Sequence, residues 1–195
     1  MRTRLASLLG ALALLAALPT PSVAAPAPAA ATTTTIELKV VGCNGCRVLA
    51  IQNVGGAVTY QSATERVKKH RVTLVVPTAN TPQMAIVVFA RFDDLAQAGF
   101  PMVVMVGWKG KDPGDSISNR WAQGVHKGSG CWAGTTDPVV KNRLVVSKVQ
   151  VRAPSLGPGH FPAAAGHLTK ALPALPFFAN RRASEMHVED PSICR

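Results

Sequence analysis

Ile36-Glu-Leu-Lys-Val40 alternates apolar and polar residues, and this two-residue period is typical of a β-strand with one buried face. Six later segments show a comparable pattern, and short groups of Gly, Pro and Asp separate them. Only residues 93–97 form a short helical candidate. Seven short strands at this spacing predict an all-β fold, an antiparallel β-sandwich of the immunoglobulin-like type. The six later segments are residues 47–53, 57–63, 71–76, 85–91, 102–108 and 144–152.

The beginning of the chain has the three-part pattern of a secretory leader. Arg2 and Arg4 precede an apolar run at 5–18, and small residues, Ser22 and Ala24, occupy the positions expected before a cleavage site. The run is shorter than a typical membrane span, and no later segment is longer. We therefore expect residues 1–24 to be a signal peptide and the protein to be secreted, extracellular and without a transmembrane segment.

The remaining chain divides into three parts by composition. Residues 25–35 are rich in Ala, Pro and Thr and predict a flexible linker, and residues 36–152 contain the strands of the β-sandwich domain. Residues 153–195 contain many prolines and glycines, which favour an irregular tail over a strand ladder. We expect this Pro-rich tail to pack on the sandwich through Leu172, Leu175, Phe177 and Phe178.

The charge balance is strongly basic, with a formal net charge of +11 at pH 7. The basic residues are dispersed, apart from one block at Arg66-Val-Lys-Lys-His-Arg71. For an exported protein, the natural polyanions are anionic cell-wall polymers, anionic lipid headgroups and acidic polysaccharides rather than nucleic acid. A high net charge that serves only solubility is the alternative interpretation.

Four cysteines in an exported chain indicate disulfide bonds. Three pairings are possible, and the sequence favours Cys43–Cys46 together with Cys131–Cys194. Glycines around the first pair allow a tight turn, whereas Cys194 would anchor the Pro-rich tail. The chain-entropy model assigns roughly 4 kcal/mol to the long bridge and a small effect to the short one.

The segment Gly42-Cys-Asn-Gly-Cys46 admits several functional interpretations besides a disulfide that locks a turn, which we favour. Cys43 and Cys46 could serve a thiol–disulfide oxidoreductase, a soft-metal (copper) carrier, or a zinc site completed by other cysteines or by histidines. Residues 36–46 superficially resemble the first strand and metal loop of heavy-metal-associated copper domains. They lack the methionine of that family, and the strand-like residues 47–52 stand where its helix would follow.

Three of the few aromatic residues fall between positions 108 and 132, among several basic side chains. Indole rings stack on sugar faces and cations attract acidic groups, so this cluster predicts a binding surface for an anionic glycan. The alternative is that the tryptophans belong to the core, with Trp132 beside the Cys131 bridge. The candidate ligand-binding residues are Trp108, Lys109, Lys111, Arg120, Trp121, Lys127 and Trp132.

The sequence offers little support for catalysis. It contains no Gly-x-Ser-x-Gly elbow, phosphate loop or dinucleotide fingerprint. Gly114-Asp-Ser-Ile-Ser118 resembles the nucleophile segment of trypsin-like proteases, but Ile117 and Ser118 replace the glycines that the oxyanion hole requires. We expect a non-enzymatic protein without a cofactor.

The leader, the segment at 42–46 and Gly130-Cys-Trp-Ala-Gly-Thr135 resemble segments of small exported proteins of high-GC actinobacteria. This resemblance implies a secreted, disulfide-linked β protein and no particular catalytic residues. Together these observations favour a monomeric binding or cell-envelope-associated module for anionic cell-wall polymers or glycans. A thiol-handling or copper-handling protein that uses Cys43 and Cys46 is the alternative.

Overall fold

A computed structural model of the protein describes residues 32–89, 101–124, 126–151, 161–175 and 194. These residues are dominated by β-strands, which confirms the all-β prediction, and all seven predicted strand segments overlap observed strands. One short helix, α1 (Asn119–Gln123), and a 3-10 turn at Thr78–Asn80 complete the described structure. The strands are β1 Thr33–Val41, β2 Arg47–Val54, β3 Ala57–Gln61, β4 Glu65–Arg66, β5 Arg71–Pro77, β6 Met84–Phe89, β7 Pro101–Met105, β8 Gly107–Trp108, β9 Gly128–Ser129, β10 Cys131–Trp132, β11 Val139–Val151 and β12 Phe161–Leu168.

The long strands form one curled, mixed sheet in the order β3-β2-β6-β7-β12-β11-β1-β5. Strand β4 pairs with β2, β10 pairs with β6, and β8 and β9 form a separate pair. Two neighbouring pairs, β1 with β11 and β12 with β7, are parallel. The immunoglobulin-like antiparallel sandwich is therefore not confirmed, because period-two alternation identifies a strand without identifying its partner or direction.

The curl of the sheet encloses one apolar core, the inner cluster, to which every long strand from β1 to β12 except β3 contributes buried side chains. A second apolar group, the outer cluster, covers the outer faces of β2, β6 and β7. It includes side chains from the segment that connects β7 to β11, Cys131 among them, together with Cys194. Apolar residues on both faces of these central strands explain why their sequences lack strict alternation.

Two predicted boundaries need correction. Strand β1 begins at Thr33, inside the predicted linker, because Thr34 is fully buried and its hydroxyl lies 3.0 Å from both Thr78 Oγ1 and the carbonyl oxygen of Asp137. The predicted irregular tail contributes β12 to the middle of the sheet, between β11 and β7. A Cβ at Gly166 would lie 3.3 Å from Val104 Cγ2, so a small residue suits this tightly packed strand.

Several predictions fall outside the described residues: the signal peptide at 1–24, the helical candidate at 93–97, and the packing of Phe177 and Phe178. Within the described part of the chain, no helix is long and apolar enough to span a membrane.

Candidate functional site

The segment that connects β7 to β11 forms a groove with the segment that follows β12. Strands β8 and β9 pair through Gly107–Ser129 and Trp108–Gly128, and the amide of Lys109 extends the pairing by donating to the carbonyl of Lys127 at 2.8 Å. The segment at 171–175 is held alongside, since the amide of Leu172 donates to the carbonyl of Val106 at 2.7 Å. The space between these elements is a groove of about 600 Å³.

The groove has an apolar wall and basic side chains around it. Nine of its thirteen lining residues are apolar residues or glycines, and the other four are three lysines and Ser129. Lys109 and Lys127 are exposed and Lys111 is half-buried, so their ammonium groups can meet a ligand at the groove. The lining residues are Gly107, Trp108, Lys109, Lys111, Pro113, Lys127, Gly128, Ser129, Ala133, Leu172, Pro173, Ala174 and Leu175.

The apolar side chains of the groove come mainly from Trp108 and from the segment at 172–175. The three lysines, Lys109, Lys111 and Lys127, are called the lysine rim below. An apolar wall beside a few cations suits a ligand that has both apolar surface and negative charge.

The structure brings four of the seven predicted ligand-binding residues to the groove: Trp108 and the three lysines of the rim. Trp132 is 1% exposed and belongs to the inner cluster, so the prediction that it contacts a ligand is not supported. Arg120 is exposed on α1 but does not line the groove. Trp108 is itself 5% exposed, which leaves little of its ring surface for stacking on a sugar.

Trp121 lies in α1, and its ring is engaged by other residues of the protein. The ring stacks on His126, with centroids 3.4 Å apart and an interplanar angle of 7°, and Lys111 Nζ lies 4.7 Å from its centroid. The helix begins where the Ser118 hydroxyl accepts a hydrogen bond from the Trp121 amide at 3.2 Å. These contacts place Trp121 beside the lysine rim as a support for Lys111 rather than as a free stacking platform.

Glycines allow the two sides of the groove to approach closely. A Cβ at Gly107 would overlap the Cβ of Ala174, and one at Gly128 would lie 3.2 Å from the carbonyl oxygen of Gly107. The pairing of β8 with β9 and the position of the 171–175 segment therefore both depend on residues without side chains.

His167 is a buried polar residue next to the groove that the sequence did not single out. It is 1% exposed, and among the described residues neither ring nitrogen has a hydrogen-bond partner. Its ring meets Trp108 edge-on, at 6.3 Å between centroids and 84° between planes. Burial lowers the pKa of His167 to about 4 from its ordinary value of 6.5. Sequence reasoning missed His167 because it lies in β12, a strand that the composition of this part of the chain did not reveal.

The lowered pKa of His167 predicts acid sensitivity. Because the folded state disfavours the charged ring, the unfolded chain binds more protons between pH 6.5 and about 4, and stability falls as the pH drops through this window. At pH values below the folded-state pKa, the loss of stability reaches about 3 kcal/mol. At pH values above the unfolded-state pKa, there is no loss. Urea unfolding of the wild type and of His167→Phe across this range measures it. Equal pH slopes for the two proteins would contradict the prediction.

The two disulfides follow the pairing that the sequence favours, Cys43–Cys46 and Cys131–Cys194. Cys46 is fully buried and Cys43 is 5% exposed, and both belong to the inner cluster. The loop that carries them is tied to the chain after β4, since Val67 donates to the Cys46 carbonyl at 2.8 Å and accepts from the Gly45 amide at 3.0 Å. Buried sulfurs are poorly placed to meet a thiol partner or to exchange a metal.

The two cysteine pairs lie in different clusters, the inner one and the outer one, so they do not combine into a four-cysteine site. Among the described residues, no group of three or more His, Cys, Asp or Glu side chains could hold a metal ion. Comparisons with protein-family models, curated proteins and solved structures find no match to this chain.

Proposed function

We propose that this protein is an exported, non-enzymatic binding module for anionic glycans or cell-wall polymers, and that the groove is its binding site. The observation that carries the proposal is the combination of an apolar wall with the lysine rim. The leader-like residues 1–24 and the two disulfides support export and an extracellular location.

The lysine rim provides the anion-binding part of this site. The backbones of Lys109 and Lys127 are hydrogen-bonded neighbours, and among the described residues neither side chain forms an ion pair. Two uncompensated cations at adjacent positions raise the local positive potential and attract a carboxylate or phosphate group. Because the lysines are exposed, we expect this attraction to weaken as the salt concentration rises.

The apolar wall provides the second part of the site. Leu172, Pro173, Ala174 and Leu175 present hydrocarbon surface that suits the C–H face of a sugar ring or an acyl substituent. This differs from the sequence-based expectation of indole stacking, since Trp108 and Trp132 are buried and Trp121 is engaged by His126. The interaction depends on aliphatic contacts together with charge.

Replacing Lys109 and Lys127 together with glutamine should weaken binding of an oligogalacturonate about tenfold, since each exposed charge contact contributes up to about 1 kcal/mol. Isothermal titration calorimetry at low and at near-physiological salt measures the effect. The matched control is Arg47→Gln with Arg66→Gln, which removes the same charge from an exposed pair in register on β2 and β4, outside the groove. If the two double variants lose affinity equally, binding reflects net charge and the groove is not the site.

A further inference from the structure

Three basic residues form a row across the outer face of the sheet. Lys39 on β1 is paired in register with Arg71 on β5 and with Arg143 on β11. All three are exposed, and their apolar sequence neighbours face the inner cluster. Neighbouring strands lie about 4.8 Å apart, so this cationic row spans roughly 10 Å perpendicular to the strands.

The cationic row is not compensated within the described part of the protein. The ion pair found there, between Lys141 Nζ and Glu37 Oε2 at 3.4 Å, belongs to the adjacent row on the same face. Like charges directly opposite each other on neighbouring strands destabilise a sheet. The fold therefore tolerates a repulsive arrangement that a bound anion would relieve.

A shallow depression of about 220 Å³ lies at this row. Its polar and charged lining residues include Lys39, Arg71, Thr73 and Lys141, together with Glu37, whose carboxylate is paired with Lys141; Arg143 does not line it. A guanidinium group donates paired hydrogen bonds that match the oxygen atoms of a phosphate, and a threonine hydroxyl can donate another. The residue types around the depression therefore favour a phosphate group.

The turn before β5 extends the positive surface. Lys69 and His70 occupy this turn with φ angles of 49° and 60°, a left-handed conformation that Asn and Gly adopt more readily. The amide of His70 is 3.4 Å from the side-chain oxygen of Asn44, which lies between the cysteines of the Cys43–Cys46 loop. The disulfide loop therefore supports a turn that presents Lys68, Lys69 and His70 beside the row.

We propose that the cationic row is a second binding surface, which takes a phosphate-bearing chain lying across β5, β1 and β11. This goes beyond the proposed function, because the row and the groove share no residue. Glu37, in the adjacent row on the same face, favours a chain over a lipid surface as the ligand. A planar anionic membrane pressed on this face would meet its carboxylate, whereas a chain can follow the row.

Lys39→Glu tests the proposal, because it places a carboxylate between the two arginines. Binding of long-chain inorganic polyphosphate should fall at least 30-fold at about 150 mM salt, where charges more than about 8 Å away are largely screened. The melting temperature should rise by about 2–4 °C, since repulsion is replaced by attraction. The matched control is Arg47→Glu, which makes the same charge change at an exposed position opposite Arg66, outside both the row and the groove, and should lose less than threefold.

Arg143→Gln provides a second variant that keeps the test decisive if Lys39→Glu does not fold, and it should weaken polyphosphate binding about fivefold. Equal losses for Lys39→Glu and Arg47→Glu would overturn the proposal. So would equal affinity for polygalacturonate, which excludes a phosphate preference, or tighter binding to phosphatidylglycerol vesicles, which indicates a lipid surface. Failure of the groove is separate: Lys109→Gln with Lys127→Gln would then leave oligogalacturonate binding unchanged.

Discussion

Replacing both Cys131 and Cys194 with alanine should lower the free energy of unfolding by about 4 kcal/mol, the value that chain entropy assigns to a loop of this length. The two cysteines are separated by 63 positions in the sequence, and their Cα atoms lie 5.4 Å apart. Both are buried in the outer cluster, at 0% and 1% exposure. Urea unfolding, followed by fluorescence and circular dichroism, measures the loss.

The matched control is the double replacement of Cys43 and Cys46 with alanine. This pair also lies buried but is separated by only three positions, so the same model assigns it at most about 2 kcal/mol. The long bridge should therefore matter about twice as much as the short one. Equal losses would show that side-chain packing in the two clusters, rather than loop closure, determines the contribution of each bridge.

Local patterns in the sequence identified strands but not their neighbours. The alternation at Ile36, Leu38 and Val40 correctly indicated which residues of β1 are buried. It carried no information about the parallel pairing of β1 with β11, because those partners are about a hundred residues apart. Strand β12 escaped detection since its alanines and glycine have low β-propensity, and dense packing around Gly166 favours them instead.

The two proposed binding surfaces differ in how far the sequence could predict them. The lysine rim was found because its members lie within one segment, but the apolar wall at 172–175 comes from a part of the chain that long-range pairing brings into place. The cationic row was not predicted at all. Lys39, Arg71 and Arg143 are distant in the sequence, and only the register of three strands aligns them.

Gly42→Ala should destabilise the protein by at least about 3 kcal/mol, through a steric clash added to backbone strain. Gly42 has a φ of +85°, and a Cβ at this position would overlap the backbone carbonyl oxygen of Val146 on β11. Neither the Val146 carbonyl nor Gly42 can move alone. Val146 belongs to β11, which is paired with both β1 and β12, and Gly42 is followed directly by Cys43 of the buried disulfide. Chemical denaturation gives the difference from the wild type.

Gly45→Ala is the control, because it lies in the same loop at nearly the same φ, +88°, with nothing within 4 Å of a Cβ. It should cost only about 1 kcal/mol of backbone strain. If Gly42→Ala is no more destabilising than Gly45→Ala, the loop can move away from β11 without loss. The Cys43–Cys46 loop would then be too compliant to hold Asn44 against His70, and the support that we assign to it for the basic turn would have to come from the sheet alone.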